Sequence, residues 1–370
     1  MRHCFLFLAT GLFFAQTALG LIPDRRRLYE DRRENVYMVI PAVASLPGAG
    51  VFVGVLGSFS NLGGSGIDAA VTQAQTMGGD SDIYISAYAL REVPLFLDGL
   101  TLEYWFGNIQ LNELNAYLPG RNSPDFTIPY TGKFKYYFLN PAYRFWERRI
   151  NLTYNLVFFN GYAINEDGED MLTGSHAASG NLLLDFTDDW VDPHKGLRLG
   201  YGVTLDAPSK SILGEDSKNT QAVESKNKDY SATLYIPTGD DVTWVAHQQW
   251  FTSSSGEGGW GGGAINLRGY PGGRWSDRYG KMQALEVRYT DHMSKEFDFV
   301  LAQGVLDGLQ YAAFYEQGQV SPALDERLNQ DLHRDYGVGM RALIDAIVLR
   351  LDLAFSEAGP QTHLTIDQPF

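Results

Sequence analysis

Hydrophobic and polar residues alternate with a period of two along nearly the whole chain. Between residues 347 and 356 apolar side chains occupy the odd positions, whereas Arg350 and Asp352 occupy even ones. Residues 100–106 and 230–236 show the same split. This period is typical of β-strands with one apolar and one polar face. A soluble sandwich would not place Arg350 and Asp352 together on its inner face. The pattern therefore predicts a barrel with apolar side chains outside and charges in a wet lumen.

The alternation predicts an all-β fold, a 16-stranded antiparallel transmembrane β-barrel. The predicted strands span residues 35–45, 50–60, 66–77, 81–92, 98–110, 134–146, 149–163, 178–188, 197–206, 226–236, 242–252, 280–290, 309–320, 333–344, 347–356 and 361–370. Long connections at 111–133, 164–177, 207–225 and 253–279 alternate with shorter ones, as outer loops and periplasmic turns do in outer-membrane barrels. Segment 291–308 is too long for a tight turn. An extension of the flanking strands is the one explanation that the pattern offers.

The first 20 residues have the layout of a secretory signal peptide. Arg2 precedes an apolar stretch at 5–15, and residues 18–20 form a small-x-small cleavage pattern. The apolar stretch is shorter than the roughly 18 residues of a spanning helix, which favours a cleaved signal over a membrane anchor. Residues 21–34 then form a short periplasmic segment, and 35–370 form the barrel domain. Since no later segment suits a spanning helix, membrane insertion requires a closed barrel.

Composition agrees with a barrel and excludes other classes. The chain has 40 Gly, 21 Tyr and 21 Phe but only 20% charged residues. Its composition is therefore rich in turn-forming and aromatic residues, as in β-barrels. Loss of Arg2 with the signal leaves 28 basic and 44 acidic side chains, a net charge of −16. Such an acidic chain repels phosphate backbones, so we expect no nucleic-acid partner. Cys4 lies in the signal, so the mature chain has no thiol.

The sequence shows no motif for catalysis, metal or cofactor binding. Its histidines lack the spacing of metal sites, and no Gly-x-Ser-x-Gly sequence is present. The glycines at 256–273 do not join a strand to a helix, as a phosphate-binding loop would. Inward pairs such as Arg350 with Asp352, and Glu286 with Arg288, fit a structural lumen network better than acid–base catalysis. We therefore predict no enzyme activity, no cofactor and no metal.

The loop after the strand at 242–252 carries an unusual motif. A glycine-rich run at 258–263 leads to Leu267-Arg268-Gly269-Tyr270. A glycine-rich run alone indicates a flexible linker. An Arg-Gly-aromatic step, however, forms a sharp turn that projects a guanidinium group, which lumen carboxylates could hold by bidentate pairing.

The sequence Leu267–Tyr270 resembles the Arg-Gly-aromatic motif of the BamA/TamA-like outer-membrane protein family, also called the bacterial surface antigen family. The resemblance implies that this long loop folds back into the barrel and that Arg268 pairs with an acid on the lumen wall. Residues 313–320 are similar to the family's aromatic-acid-x-Gly-x-Val pattern, with Glu316 in place of the usual Asp. Strand parity turns Glu316 inward, which makes it the expected partner of Arg268.

Two further stretches match the family. Residues 185–196 are similar to its acid-rich turn ending in Asp-Pro-x-x-Gly, although Asp188 replaces the middle Arg. From its residue types alone, this stretch is predicted to form a periplasmic turn containing Pro and Gly, and we adopt that interpretation. Residues 350–356, followed by Gly359-Pro360, match the closing hairpin. The final Phe370 implies recognition by the cell's barrel-assembly machinery. Residues 35–184 share only the alternating barrel pattern with the family. The family's POTRA modules, which capture client chains, have no counterpart in the sequence.

The resemblance implies insertion of outer-membrane proteins or translocation of polypeptides across the outer membrane. The alternative is a plugged or gated pore without insertase activity. The missing POTRA modules weaken the assembly role. Expected surroundings are the lipid of a Gram-negative-type outer membrane, the assembly machinery, and a periplasmic client or POTRA-bearing partner. The identity of the client, the opening of a lateral gate and conduction through the pore stay open at this point.

Overall fold

The computed structural model describes residues 34–46, 50–77, 82–117, 127–165, 170–207, 225–254, 259–261, 267–270, 274–345, 347–366 and 368–370. The predicted signal peptide at 1–20 lies outside these residues. So does the predicted periplasmic segment at 21–34, except for Glu34.

The described residues form mainly antiparallel β-strands, with two short 3₁₀ helices at Leu62–Gly64 and Glu326–Asn329. The strands are β1 Val36–Leu46, β2 Gly50–Ser60, β3 Asp68–Met77, β4 Asp82–Pro94, β5 Leu100–Tyr117, β6 Thr127–Phe145, β7 Ile150–Asn165, β8 Asp170–Asp185, β9 Gly196–Ala207, β10 Ser225–Pro237, β11 Val242–Ser253, β12 Gly259–Gly261, β13 Trp275–Asp277, β14 Tyr279–Phe299, β15 Ala302–Ser321, β16 His333–Ile344, β17 Ile347–Ser356 and β18 Gly359–Ile366. None of the described residues form a helix long and apolar enough to cross a membrane.

All of these strands except β12 and β13 belong to one 16-stranded sheet, in which neighbours in sequence pair with each other. The sheet closes on itself where Tyr37 and Met38 of β1 pair with Gln303 and Ala302 of β15. The closed ring therefore contains thirteen strands, and β16, β17 and β18 continue the sheet beyond it. The all-β antiparallel barrel is confirmed. The prediction that all sixteen strands form the closed barrel is not confirmed, because the closing ladder bypasses the last three.

Several strands are longer or shorter than the hydrophobic alternation indicates. Strand β5 continues to Tyr117 and β6 begins at Thr127, so most of the predicted loop at 111–133 belongs to a hairpin. Exposed polar side chains such as Asn112 and Lys133 lie in this part. Backbone pairing does not require apolar side chains, so the β5–β6 ladder continues beyond the residues in which apolar and polar positions alternate. Strand β18 ends at Ile366, whereas the prediction continued it to Phe370.

The segment 291–308 is an extension of two strands. Strand β14 continues to Phe299 and β15 begins at Ala302, so the two form a long hairpin with a turn at 300–301. This hairpin projects at the end of the barrel where β1 begins, which we call the N-terminal rim. The same rim carries the turns at 61–67, 95–99, 146–149, 186–195 and 238–241, together with Asp345 after β16.

The two faces of the sheet have opposite polarity, as the alternation predicted. Leu351 and Leu353 are exposed on the outer face, whereas Arg350 and Asp352, which alternate with them along β17, are buried. The outer face carries a belt of exposed apolar and aromatic side chains on most strands, including Phe106, Tyr137, Leu152, Leu199, Tyr230, Leu234, Ile236, Trp244, Leu285, Tyr289, Tyr311, Tyr315 and Met340. A barrel that stands in lipid has this polarity.

The inner wall is more tightly packed than the expected wet lumen. On β5 and β6 the inward positions hold Trp105, Ile109, Phe134, Tyr136 and Phe138, all buried. On the opposite wall the inward charges are buried as well, and Glu316 and Asp352 are 0% exposed. The expectation of solvated lumen charges is therefore wrong for these residues, because other parts of the chain fill the space around them.

Candidate functional site

The Arg-Gly-aromatic step of the long loop lies inside the barrel. Leu267, Arg268, Gly269 and Tyr270 are all buried. The Tyr270 N–H donates to the Leu267 carbonyl at 3.2 Å, which closes a tight turn around Arg268. Leu267 and Tyr270 pack into an apolar cluster with barrel residues that include Tyr235 and Val245. The turn is thus held by apolar packing on both sides of its arginine.

Arg268 contacts three carboxylates on three different strands. Its Nε and Nη2 lie 2.8 Å from Oε1 of Glu316 on β15. Its Nη1 lies 3.1 Å from Oε2 of Glu286 on β14 and 2.9 Å from Oδ2 of Asp352 on β17. The guanidinium carbon lies 3.4 Å from the centre of the Phe314 ring, within range for a cation–π contact. The structure therefore brings Arg268 together with Glu316, and adds two acids to the expected pair.

The backbone of the turn is held as firmly as its side chain. The Arg268 N–H donates to Oε2 of Glu316 at 2.8 Å, and the Gly269 N–H donates to Oδ2 of Asp335 at 2.9 Å. His363 Nε2 lies 2.6 Å from the Arg268 carbonyl, to which it donates. A Cβ at Gly269 would collide with the side chain of Asp335. Glycine is therefore required here by close approach of the wall.

Tyr270 anchors the end of the turn. Its ring meets that of Trp275 edge to face, with 4.5 Å between ring centres. Burial and the neighbouring Glu357 carboxylate raise the pKa of Tyr270 to about 12. The hydroxyl therefore stays protonated at neutral pH and donates to the Arg334 carbonyl at 3.1 Å.

The predicted lumen network continues from this turn across the wall. Arg288 Nε lies 2.7 Å from Glu286 Oε1, and Arg350 Nε lies 3.3 Å from Asp352 Oδ2. Arg341 on β16 also belongs to it, since its Nη2 lies 3.0 Å from Glu286 Oε2. We define the lumen cluster as four arginines and four acids, which balance in formal charge: Arg268, Arg288, Arg341, Arg350, Glu286, Glu316, Asp335 and Asp352.

Strand register explains how these residues meet. Glu316 on β15 is paired with Asp335 on β16 and with Ala284 on β14. Asp352 on β17 is paired with Gly339. A Cβ at Gly339 would overlap the Asp352 carboxylate, so this glycine leaves the room in which Asp352 can turn toward Arg268.

The turn at 186–195 also folds inward, which the plain periplasmic-turn interpretation did not anticipate. Trp190 and Val191 are buried. Asp192 accepts hydrogen bonds from the Nε2 atoms of Gln310 at 3.0 Å and Gln368 at 2.9 Å. Arg198 is ion-paired with Asp185 and donates through Nη2 to the Trp190 carbonyl at 3.1 Å.

The last described residues also lie inside the barrel. The Phe370 ring stacks on His247 with 4.3 Å between ring centres, and the Tyr235 hydroxyl donates to the Phe370 carbonyl at 2.8 Å. Arg268 lies 5.7 Å from the Phe370 ring centre. The long loop, the 186–195 turn and the end of the chain therefore meet at one place on the inner wall.

This arrangement is suited to holding a loop in place rather than to catalysis. Its charges neutralise one another and are closed off from solvent, whereas a general acid or base must reach its substrate. Among the described residues, no group of three or more His, Cys, Asp or Glu side chains is placed to hold a metal ion. The cluster can therefore fix the Arg-Gly-aromatic turn across four strands, β14 to β17.

Sequence reasoning missed several members of the site. Parity along β16 does turn Asp335 and Arg341 inward, opposite the exposed Tyr336 and Met340, and that signal was available. Nothing in the local pattern indicated that His363 would donate to the turn. The inward position of Asp192 also could not be predicted from local sequence, because it depends on Gln310 and Gln368, which are far away along the chain.

The comparisons with known proteins concern the barrel as a whole. No protein-family model matches the sequence. No curated protein matches it either. Among solved structures the barrel is similar to CdiB from Escherichia coli, with a TM-score of 0.60 at 14% identity over 90% of this chain and 62% of that one. CdiB from Acinetobacter baumannii gives 0.56 at 10% identity over 90% and 59%.

A third similar structure is BamA from Haemophilus ducreyi lacking POTRA domains 1-3. Its TM-score is 0.51 at 12% identity, over 96% of this chain and 77% of that one. The chain spans about 60% of the length of the two CdiB chains. The resemblance inferred from the four motifs is thus confirmed at the level of the fold: this chain has the barrel fold of BamA and CdiB.

Proposed function

We propose that this chain is an outer-membrane barrel that handles other polypeptides, in outer-membrane protein assembly or in protein translocation. The fold that it shares with BamA and CdiB supports this assignment. The proposal includes export through a cleaved signal at 1–20. It also includes recognition of Phe370 by the barrel-assembly machinery, and a periplasmic client or POTRA-bearing partner.

The outer belt supports a membrane location. Exposed apolar and aromatic side chains face outward on strands around the barrel, from Phe106 on β5 to Leu353 on β17. Soluble proteins rarely expose continuous apolar surface of this extent. The belt therefore favours a lipid environment, and closed barrels of this polarity are the β-structures that satisfy their backbone hydrogen bonds there.

The observation that carries a polypeptide-handling role is the seam between β1 and β18. The two strands lie side by side, yet no ladder joins them in the described residues. Elsewhere each strand of the 16-stranded sheet is paired with its neighbour. Apart from Tyr37 and Met38, which pair with β15, the described residues of β1 form no ladder along this edge. Strand edges without a ladder can pair with an extended segment of another chain, which is a recurring mode of peptide recognition.

A plugged or gated pore is the second candidate. The buried Arg268 turn, the 186–195 turn and Phe370 fill part of the interior, as a plug does. The lumen cluster would then serve to keep the loop in the pore. This role needs no polypeptide client, which separates it from the first proposal.

Depletion of the protein from its own cells distinguishes these roles. If it assembles barrels, other barrel proteins should fall several-fold in the outer membrane; if it translocates a partner, one exported protein should disappear from the medium. Restored expression of the parent chain is the control and should reverse either loss. A pore predicts neither loss but a changed permeability to small solutes. An unchanged outer-membrane and secreted proteome would therefore contradict polypeptide handling.

A further inference from the structure

The long β14–β15 hairpin continues past the barrel wall at the N-terminal rim. Both of its strands are irregular at the same level: the β14 register shifts between His292 and Lys295, and the β15 register shifts between Leu306 and Gly308. Beyond this irregularity, the described residues 295–305 form ladder pairs only within the hairpin and with β1. Leu306, which also pairs with Ile344 of β16, marks the boundary. Register shifts of this kind bend strands. The residues beyond them can therefore bend away from the barrel wall. We call residues 295–306 the extension.

The extension is attached to the turn between β16 and β17. The Val305 N–H donates to Asp345 Oδ2 at 2.7 Å, and the Asp345 N–H donates to the Val305 carbonyl at 3.1 Å. Asp345 has a φ of 49°, in the left-handed region. These two hydrogen bonds attach the extension to the ends of β16 and β17 at the N-terminal rim.

The far side of the extension reaches β1. The Val39 N–H donates to the Leu301 carbonyl at 2.7 Å, and the Tyr37 hydroxyl donates to the Phe299 carbonyl at 3.1 Å. Tyr37 and Met38 pair with Gln303 and Ala302. The extension therefore bridges the gap from β15 to β1 and passes the seam between β1 and β18.

An apolar cluster seals this bridge. Ile344 and Ile347 have the same strand parity as the exposed Met340 and Leu351, so they belong to the outer face of β16 and β17. Both are nevertheless buried, because Val36 and Met38 of β1 pack against them together with Phe297, Ala302 and Leu306. Val36 and Met38 have the parity opposite to that of the exposed Pro41. The inner face of β1 thus overlaps the outer face of β16 and β17 at this rim.

We propose that the extension is a latch that holds the seam of the barrel closed at the N-terminal rim. The pairing of β1 with β2 covers its whole length, whereas that with β15 is limited to Tyr37 and Met38. The latch is therefore the weaker of the two attachments of β1, and it can release while β1 stays in the sheet. Release would uncover the cluster around Met38 and separate β1 from β18. The latch is independent of whether the barrel handles polypeptides or conducts ions.

The test is the distance across the seam, measured between spin labels at Pro41→Cys and Thr362→Cys in a Cys4→Ser background. Both positions are exposed on the outer face, on β1 and β18. The parent should give one narrow distance distribution. Replacement of residues 295–306 by Asn-Gly, which forms a two-residue turn, should add a second population at longer distance.

A milder variant guards against misfolding. Met38→Ser with Phe297→Ser removes apolar contacts of the latch but leaves the hairpin in place, and should also broaden the distribution. The matched control is Phe96→Ser with Leu97→Ser, which changes an exposed apolar turn on the same rim and should leave the distance unchanged. A distribution identical to that of the parent in a folded latch variant, or equal broadening in the control, would overturn the proposal.

Discussion

Replacement of Arg268 by alanine is expected to lower the free energy of unfolding of the barrel by about 3 to 5 kcal/mol, the usual effect of breaking a buried ion pair. Arg268 is fully buried, and its guanidinium contacts Glu316, Glu286 and Asp352. Without it, three buried carboxylates face one another with one cation fewer. The loop also loses its anchor, so ion conductance in planar bilayers should rise. Urea titration of the folded barrel in detergent measures the first effect.

Two further variants make this result specific to the site. Arg327→Ala removes an arginine that pairs with Asp325 on the surface, and it should change stability little, because exposed pairs contribute little. Arg268→Lys keeps the charge but cannot bond several acids through a planar fork, so it should recover part of the loss. Parent-like stability and conductance of Arg268→Ala would contradict the conclusion that Arg268 anchors the long loop inside the lumen.

The second large effect is coupling between Arg268 and Glu316. Each single alanine variant is expected to destabilise the barrel, whereas the double variant should lose little more than either one. Residues in direct contact show coupling of about 0.5 to 3 kcal/mol in such cycles. We expect a value in the upper part of this range, because Glu316 binds both the side chain and the backbone N–H of Arg268.

The control for this cycle pairs Arg268 with Asp229, an acid on β10 that bonds Gln249. Arg268→Ala and Asp229→Ala should add, since neither residue is a partner of the other. Additive losses for Arg268 and Glu316 as well would mean that Glu286 and Asp352 hold the loop without Glu316.

The strand content could be predicted well from sequence where each strand has one face in lipid and one inside. Strands β2, β16 and β17 have their predicted bounds. The closure of the sheet could not be predicted. It depends on a bridge between residues 37–38 and 302–303, which are far apart in sequence, and residues 302–303 lie outside the strands that the alternation predicts.

The site shows a similar division. Parity and a motif were enough to place Arg268 opposite Glu316. They could not show that Arg268 also contacts Glu286 and Asp352, because those contacts depend on how four strands curve around one turn. Phe370 was expected at the end of a strand, but it leaves the strand and packs beside His247. A local pattern gives no information about such a change of direction.

The central claim, a barrel that spans the membrane with its apolar face in lipid, is tested most directly by spin-label accessibility along β10. Single cysteines replace Tyr230, Leu234 or Ile236 on the outer face and Ser231 or Thr233 on the inner face, with Cys4→Ser as background, in isolated outer membranes. The relaxation of outer-face labels should be accelerated by oxygen, which dissolves in lipid, and not by a water-soluble paramagnetic agent. Inner-face labels should not show this combination. Equal access of the water-soluble agent to all five positions would contradict the account.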